Sequence, residues 1–177
     1  MLELSIDING LSDSLDRLSR GLERELHEAL NRTLLQMQGI AKNGAPVDTG
    51  FLRASIFPVS ATLNGYAMAV AAATAREASR SFALSIPIPK GKLEGFLVAG
   101  AEYAIYVEYG AFHRRRNTVR LGNRAGRIGV KLEGGGFATY TPGYLFMTEA
   151  LDRGRPILKR EALEGFRRAK MKAGFAV

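Results

Sequence analysis

The triplet Asp48-Thr49-Gly50 is the first stretch of the chain that could do chemistry. It spells the signature of aspartic proteases, in which two aspartates share one proton because like charges held close together cannot both ionise. Only one copy is present, so a dyad would need a homodimer, and the triplet follows Lys42-Asn43-Gly44-Ala45-Pro46 rather than an apolar strand. A corner explains the same residues without catalysis. Pro46 sets the chain as it leaves a helix, Asp48 and Thr49 can hydrogen-bond nearby backbone amides, and Gly50 supplies a turn before a strand opens at Phe51, making a helix-to-strand corner.

Other candidate chemistry is weaker. Glu94, Glu102 and Glu108 allow a paired-carboxylate site to be written down, but no motif supports one. Ser55, Ser60, Ser79, Ser81 and Ser85 lack the context of an activated nucleophile, and His27 and His113 stand in no triad or metal pattern. The chain has no cysteine, which removes thiolate catalysis and cysteine-ligated metals. The expectation is a protein that is not an enzyme and carries no cofactor or metal.

Charge is more informative. The formal net charge is +8, which favours anionic partners. Arg114, Arg115, Arg116, Arg120, Arg124 and Arg127 lie in one glycine-rich run, expected to form a basic loop or hairpin arm over residues 112–140. Its side chains could track phosphates without regard to sequence, grip an acidic face of a neighbouring subunit, or remain solvated. A second long connection, residues 75–95, contains Ile86-Pro87-Ile88-Pro89-Lys90-Gly91, which suits an extended, exposed excursion. Ile86, Ile88 and Lys90 are its candidate contact residues.

The elements that must position these residues are legible from periodicity. Leu2, Leu4, Ile6 and Ile8 alternate with Glu3, Ser5 and Asp7, as in a half-buried strand. From Leu11 the apolar residues recur at three and four through Ala41, predicting a long amphipathic helix, closed by Asn43-Gly44 and Pro46. That stripe predicts packing on the protein's own sheet in preference to a coiled-coil partner. Phe51–Leu63 and Tyr66–Thr74 flank Asn64-Gly65 and are expected to form a hairpin, and Ala75–Phe82 a short helix or part of the loop. Phe96–Ala99 and Tyr103–Tyr109 are expected as strands, and Gly143–Lys172 as helix, broken near Gly154 and Pro156. The whole chain, 1–177, then forms a single α+β domain. A mostly antiparallel sheet packs against a long N-terminal helix and a C-terminal helix, with a flexible loop at 75–95 and the basic arm at 112–140. No stretch is long and apolar enough to cross a membrane.

Two segments taken together, Ala45-Pro46-Val47-Asp48-Thr49-Gly50-Phe51-Leu52-Arg53-Ala54-Ser55-Ile56 and Tyr103-Ala104-Ile105-Tyr106-Val107-Glu108-Tyr109-Gly110, resemble the tail-component family of long-tailed phages and prophages, the neck and tail-completion proteins. Pro142, Tyr144, Phe146, Ala150 and Leu151 loosely match that family's third segment, so the resemblance spans residues 11 to 165. Ala111 departs from the threonine that usually follows the second motif. The resemblance implies a structural virion protein, assembled in the host bacterial cytoplasm and ending in the neck or tail. It implies a homo-oligomeric ring, with a hexamer favoured, against head-tail connector, tail terminator or tail tube proteins, and packaged DNA passing through the channel. Pro46, Asp48, Thr49, Gly50, Leu52, Arg53, Ser55, Tyr103, Tyr106, Glu108 and Gly110 are then motif residues with structural roles. The alternative is a sequence-independent nucleic-acid-binding protein.

Overall fold

The computed structural model describes residues 9–82, 86–115, 128–131 and 137–175. In chain order the elements are α1 (Asn9–Gly44), α2 (Phe51–Ala54), β1 (Ile56–Ser60), α3 (Tyr66–Thr74), β2 (Gly95–Ala99), α4 (Ala104–Tyr109), β3 (Gly110–Arg115), β4 (Ile128–Lys131), β5 (Phe137–Pro142) and α5 (Phe146–Lys172). The fold is α+β. The alternating segment Leu2 to Ile8 lies outside the described residues.

The leucine stripe gives α1, and its main neighbour is α5 rather than a sheet. The two helices run antiparallel: Gly44 faces Phe146, Met37 faces Gly154, Glu25 faces Gly165 and Gly21 faces Ala169. Small residues make this approach possible. A Cβ on Gly154 would stand 2.5 Å from Met37 Sδ, and one on Gly165 would stand 3.2 Å from the Glu25 carbonyl oxygen. The expected break in the last helix does not occur. Gly154 is a contact point with α1, and Pro156 sits inside α5 on an exposed face, so packing along α1 outweighs one lost backbone hydrogen bond.

Charge reinforces this seam. The carboxylate of Glu25, 2% exposed, accepts from Arg168 Nε at 2.8 Å and Lys172 Nζ at 2.7 Å. Hydrogen bonds from Lys172 and then Arg168 hold its pKa down to about 2. Arg32 Nε donates to Glu161 at 2.9 Å farther along.

Both sheets are antiparallel and small. One pairs β1 with β2, Ile56 opposite Ala99 and Ser60 opposite Gly95. The other has the order β3-β5-β4, with Gly110 opposite Pro142 and Ile128 opposite Tyr140. The basic arm is thus anchored on hairpin strands in its described part.

Three expectations are corrected. Phe51–Ala54 is a turn of helix, and the hairpin at Asn64-Gly65 is absent because Tyr66–Thr74 is helical. This segment, Tyr-Ala-Met-Ala-Val-Ala-Ala-Ala-Thr, is rich in the strongest helix former. Gly65 has φ −84°, so the positive φ of a tight hairpin is not used, and Asn64 Oδ1 instead accepts from the Tyr66 amide at 3.0 Å. Tyr103–Tyr109 is also not a strand but leads into α4. There Val107 and Tyr103 pack on the core and leave Tyr106 outside, a case of context overriding β propensity.

The core has two clusters. Ala41, Phe51, Leu52, Ile56, Ala104 and Phe146 form the larger, and Phe57, Val59 and Ala69 the smaller. Phe82 joins them, its ring 6.4 Å from that of Phe51, 6.1 Å from Phe57 and 5.6 Å from Tyr66. The long connection is therefore fastened to the core at Phe82, and residues 75–82 before it run in turns rather than a regular helix.

Candidate functional site

The two motifs, far apart in sequence, meet in one corner. Gly50 enters α2 with φ +85°, the left-handed value for which glycine is suited. Thr49 Oγ1 accepts from the Phe51 amide at 3.3 Å and donates to Glu77 Oε2 at 2.8 Å. Arg53 Nε donates to the Ala45 carbonyl at 2.8 Å, tying α2 to the end of α1. Ser55, fully buried, donates to the Leu52 carbonyl at 2.8 Å and accepts from the Ala101 amide at 3.1 Å. Leu52 is buried in the larger cluster, and the Phe51 ring lies 6.3 Å from that of Tyr103, which opens the second motif.

The second motif does the same for the last helix. Glu108 is buried and accepts from the amides of Met147 and Thr148, both at 2.9 Å, and from the Thr148 hydroxyl at 2.6 Å. These are free donors at the start of α5, where the helix dipole also favours a negative charge. Leu145, just before them, adopts a left-handed φ of 51°. The Tyr144 and Leu145 amides donate in turn to the carbonyls of Val107 and Glu108, closing the end of α4. Gly110, φ +87°, turns the chain from α4 into β3, and a Cβ there would collide with the Thr141 carbonyl.

Around this corner is a cleft. Two adjoining concavities of about 530 and 360 Å³ share Pro46, Arg80, Tyr103, Val107 and Tyr144, with Tyr106 and Pro142 on one side and Asp48 and Thr49 on the other. Tyr106 is 63% and Tyr144 58% exposed, an uncommon amount of aromatic surface to leave to water at one place. Arg80 closes one wall: its guanidinium carbon lies 4.9 Å over the Tyr103 ring, and Nε pairs with Glu77 Oε1 at 3.0 Å. The hydrogen bond from Thr49, then the one from Arg80, hold the Glu77 carboxyl below its ordinary range, while burial pushes the Tyr103 phenol up. Rings, prolines and a guanidinium in a concave wall suit the capture of an apolar or proline-bearing segment, with the phenols and Arg80 able to bond its backbone.

The residues weighed for catalysis stand otherwise engaged. The Asp48 side chain is 91% exposed, with Arg80 Nη2 at 3.9 Å as its ionic neighbour. Glu94 Oε2 accepts from the Lys90 amide at 2.6 Å, and Glu108 is the cap of α5. Ser60 Oγ donates to Asn31 Oδ1 at 2.6 Å, and His27 Nε2 lies 3.4 Å from Thr62 Oγ1. Among the described residues no group of three histidines or acids stands close enough to hold a metal, and no helix is long and apolar enough to cross a membrane.

The loop and arm candidates are not brought to the cleft. Ile86 packs partly on the smaller core cluster, while Ile88 is 82% exposed and Lys90 points outward. Arg114 and Arg115 fall on β3, and Arg116, Arg120, Arg124 and Arg127 lie outside the described residues. Sequence reasoning missed Arg80, Glu77 and Thr148. The spacing of Glu77 and Arg80, three apart, was the available signal for the first two.

No protein-family model, no curated protein and no solved structure matches the chain.

Proposed function

We propose that the protein is a structural component of the neck or tail of a long-tailed phage or prophage, a tail-completion protein that assembles into a closed ring joining tail to head. The observation that carries this reading is the convergence of the two family-like motifs. Three of their polar residues make backbone joints, Ser55 to Ala101, Arg53 to Ala45 and Glu108 to Thr148, while Tyr106, with Tyr144 beside it, is left on the surface. A motif built this way preserves a shape and the surface it presents. It does not by itself require turnover.

A ring is built from one surface meeting a different surface on the next copy. The aromatic cleft supplies one such surface, and the exposed loop around Ile88 has the apolar and proline character to enter it. The test is the particle size of a Tyr106→Ser, Tyr144→Ser double variant against the parent chain. Loss of the large species with an unchanged circular dichroism spectrum is expected. Duplex DNA binding as strong for the isolated monomer as for any assembly would favour the nucleic-acid reading instead.

A further inference from the structure

The connection between α3 and β2 carries one segment with a conformation of its own. In Ile86-Pro87-Ile88-Pro89 each proline fixes its own φ and drives the isoleucine before it to extended backbone, so the four residues form a short polyproline-type stretch. Ile88, between the prolines, is 82% exposed. Pro87 and Pro89 have no amide, so the stretch offers four carbonyl acceptors against two N–H donors.

The aromatic cleft answers that imbalance. Tyr106 and Tyr144 present rings and phenols, and Pro46 and Pro142 add apolar wall. Arg80 supplies further donors: its Nε is taken by Glu77, whereas Nη2 has Asp48 at 3.9 Å, longer than a hydrogen bond. Rings that take proline and donors that take carbonyls are what recognition of a polyproline stretch needs, and a segment already extended loses little entropy on entering.

The loop is held away from the cleft of its own chain. Residues 86–92 line neither of the two concavities. Ile86 packs on the smaller core cluster, and Lys92 Nζ pairs with Glu23 Oε1 at 2.9 Å. Glu23 stands about 32 Å along α1 from Gly44, beyond which Pro46 begins the cleft. From Lys92 back to Ile88 the chain spans at most about 14 Å. We propose that Ile86-Pro87-Ile88-Pro89 of one copy seats in the cleft of the next, prolines against Tyr106 and Tyr144 and carbonyls toward Arg80 and the phenols. This rests on the self-assembly reading and names the contact by which each subunit holds its neighbour, one loop given and one cleft filled.

The chain has no cysteine, so two can be placed without interference. Lys90 is exposed beside the stretch, and Val47, 59% exposed, lines the cleft. A Lys90→Cys, Val47→Cys variant treated with a short bismaleimide is expected to give a ladder of linked copies, abolished when Tyr106→Ser and Tyr144→Ser are added. Replacing Pro87 and Pro89 with serine should raise the concentration at which the parent chain assembles at least about tenfold, with an unchanged circular dichroism spectrum. If the two-cysteine chain forms the parent's ring without linked copies, or if the serine variant assembles at the parent's concentration, the loop insertion is wrong and the ring reading stands. Linkage confined to single chains would place the loop in its own cleft and also overturn the proposal. If the parent chain is monomeric at every concentration, both fall.

Discussion

Glu108, in the second motif, closes the N-terminus of α5 through Thr148, whose amide and hydroxyl both donate to Oε1, at 2.9 and 2.6 Å. The interaction spans forty residues of sequence and locks the helix that lines α1 from Gly44 back to Gly21. Glu108→Ala leaves two amides and a hydroxyl without their buried acceptor. A loss of about 2 to 4 kcal/mol in urea unfolding is expected, and about 1 kcal/mol for Thr148→Val. A cost under about half a kcal/mol for Glu108→Ala would show that the cap is not what seats α5.

Glu25 ties stability to acidity. Its pKa is depressed from 4.5 unfolded to about 2 folded, so its contribution is fully present above about pH 4.5 and fades as pH falls toward 2. With both cations partly exposed, of order 2 kcal/mol is expected from this pair of bridges. Glu25→Gln should be less stable than the parent at pH 7, and the gap should close by pH 2. A gap that persists at pH 2 would assign the effect to packing.

The glycines of the two long helices should respond in opposite directions. Gly39 is exposed within α1 with nothing near a built Cβ, so Gly39→Ala should stabilise by about 0.5 to 1 kcal/mol. Gly165→Ala would press on the Glu25 backbone and should destabilise. Thermal midpoints of the two variants, moving apart from the parent, check the seam directly.

The basic arm should matter for assembly and not for the fold. Replacing Arg116, Arg120, Arg124 and Arg127, which lie outside the described residues, with serine is expected to leave the unfolding midpoint unchanged. The salt dependence of assembly should weaken in the same variant. An unchanged salt response would remove these arginines from the interface.

Much of this architecture could be read in the chain. The three-and-four spacing from Leu11 to Ala41 has one solution, an amphipathic helix, and α1 is that helix. The corner at Pro46 to Gly50 was legible because proline fixes its φ while glycine tolerates the left-handed φ of +85° that Gly50 takes. What misled was local likeness without context. Asn64-Gly65 looks like a hairpin, yet the alanines that follow favour helix, and the partner of β1 arrives from residues 95–99. Pro156 looks like a helix end until Gly154 is seen against Met37. At the cleft, the motif residues were visible, but not that Arg80 would lie over Tyr103, a contact set by the chain's path after α3.

The central claim is self-assembly into a ring, and the mass of the purified protein in solution, followed by light scattering across concentration with imaging of any large species, tests it most directly. The account expects a closed species of several subunits that grows in proportion as protein is added. A monomer at every concentration would contradict it.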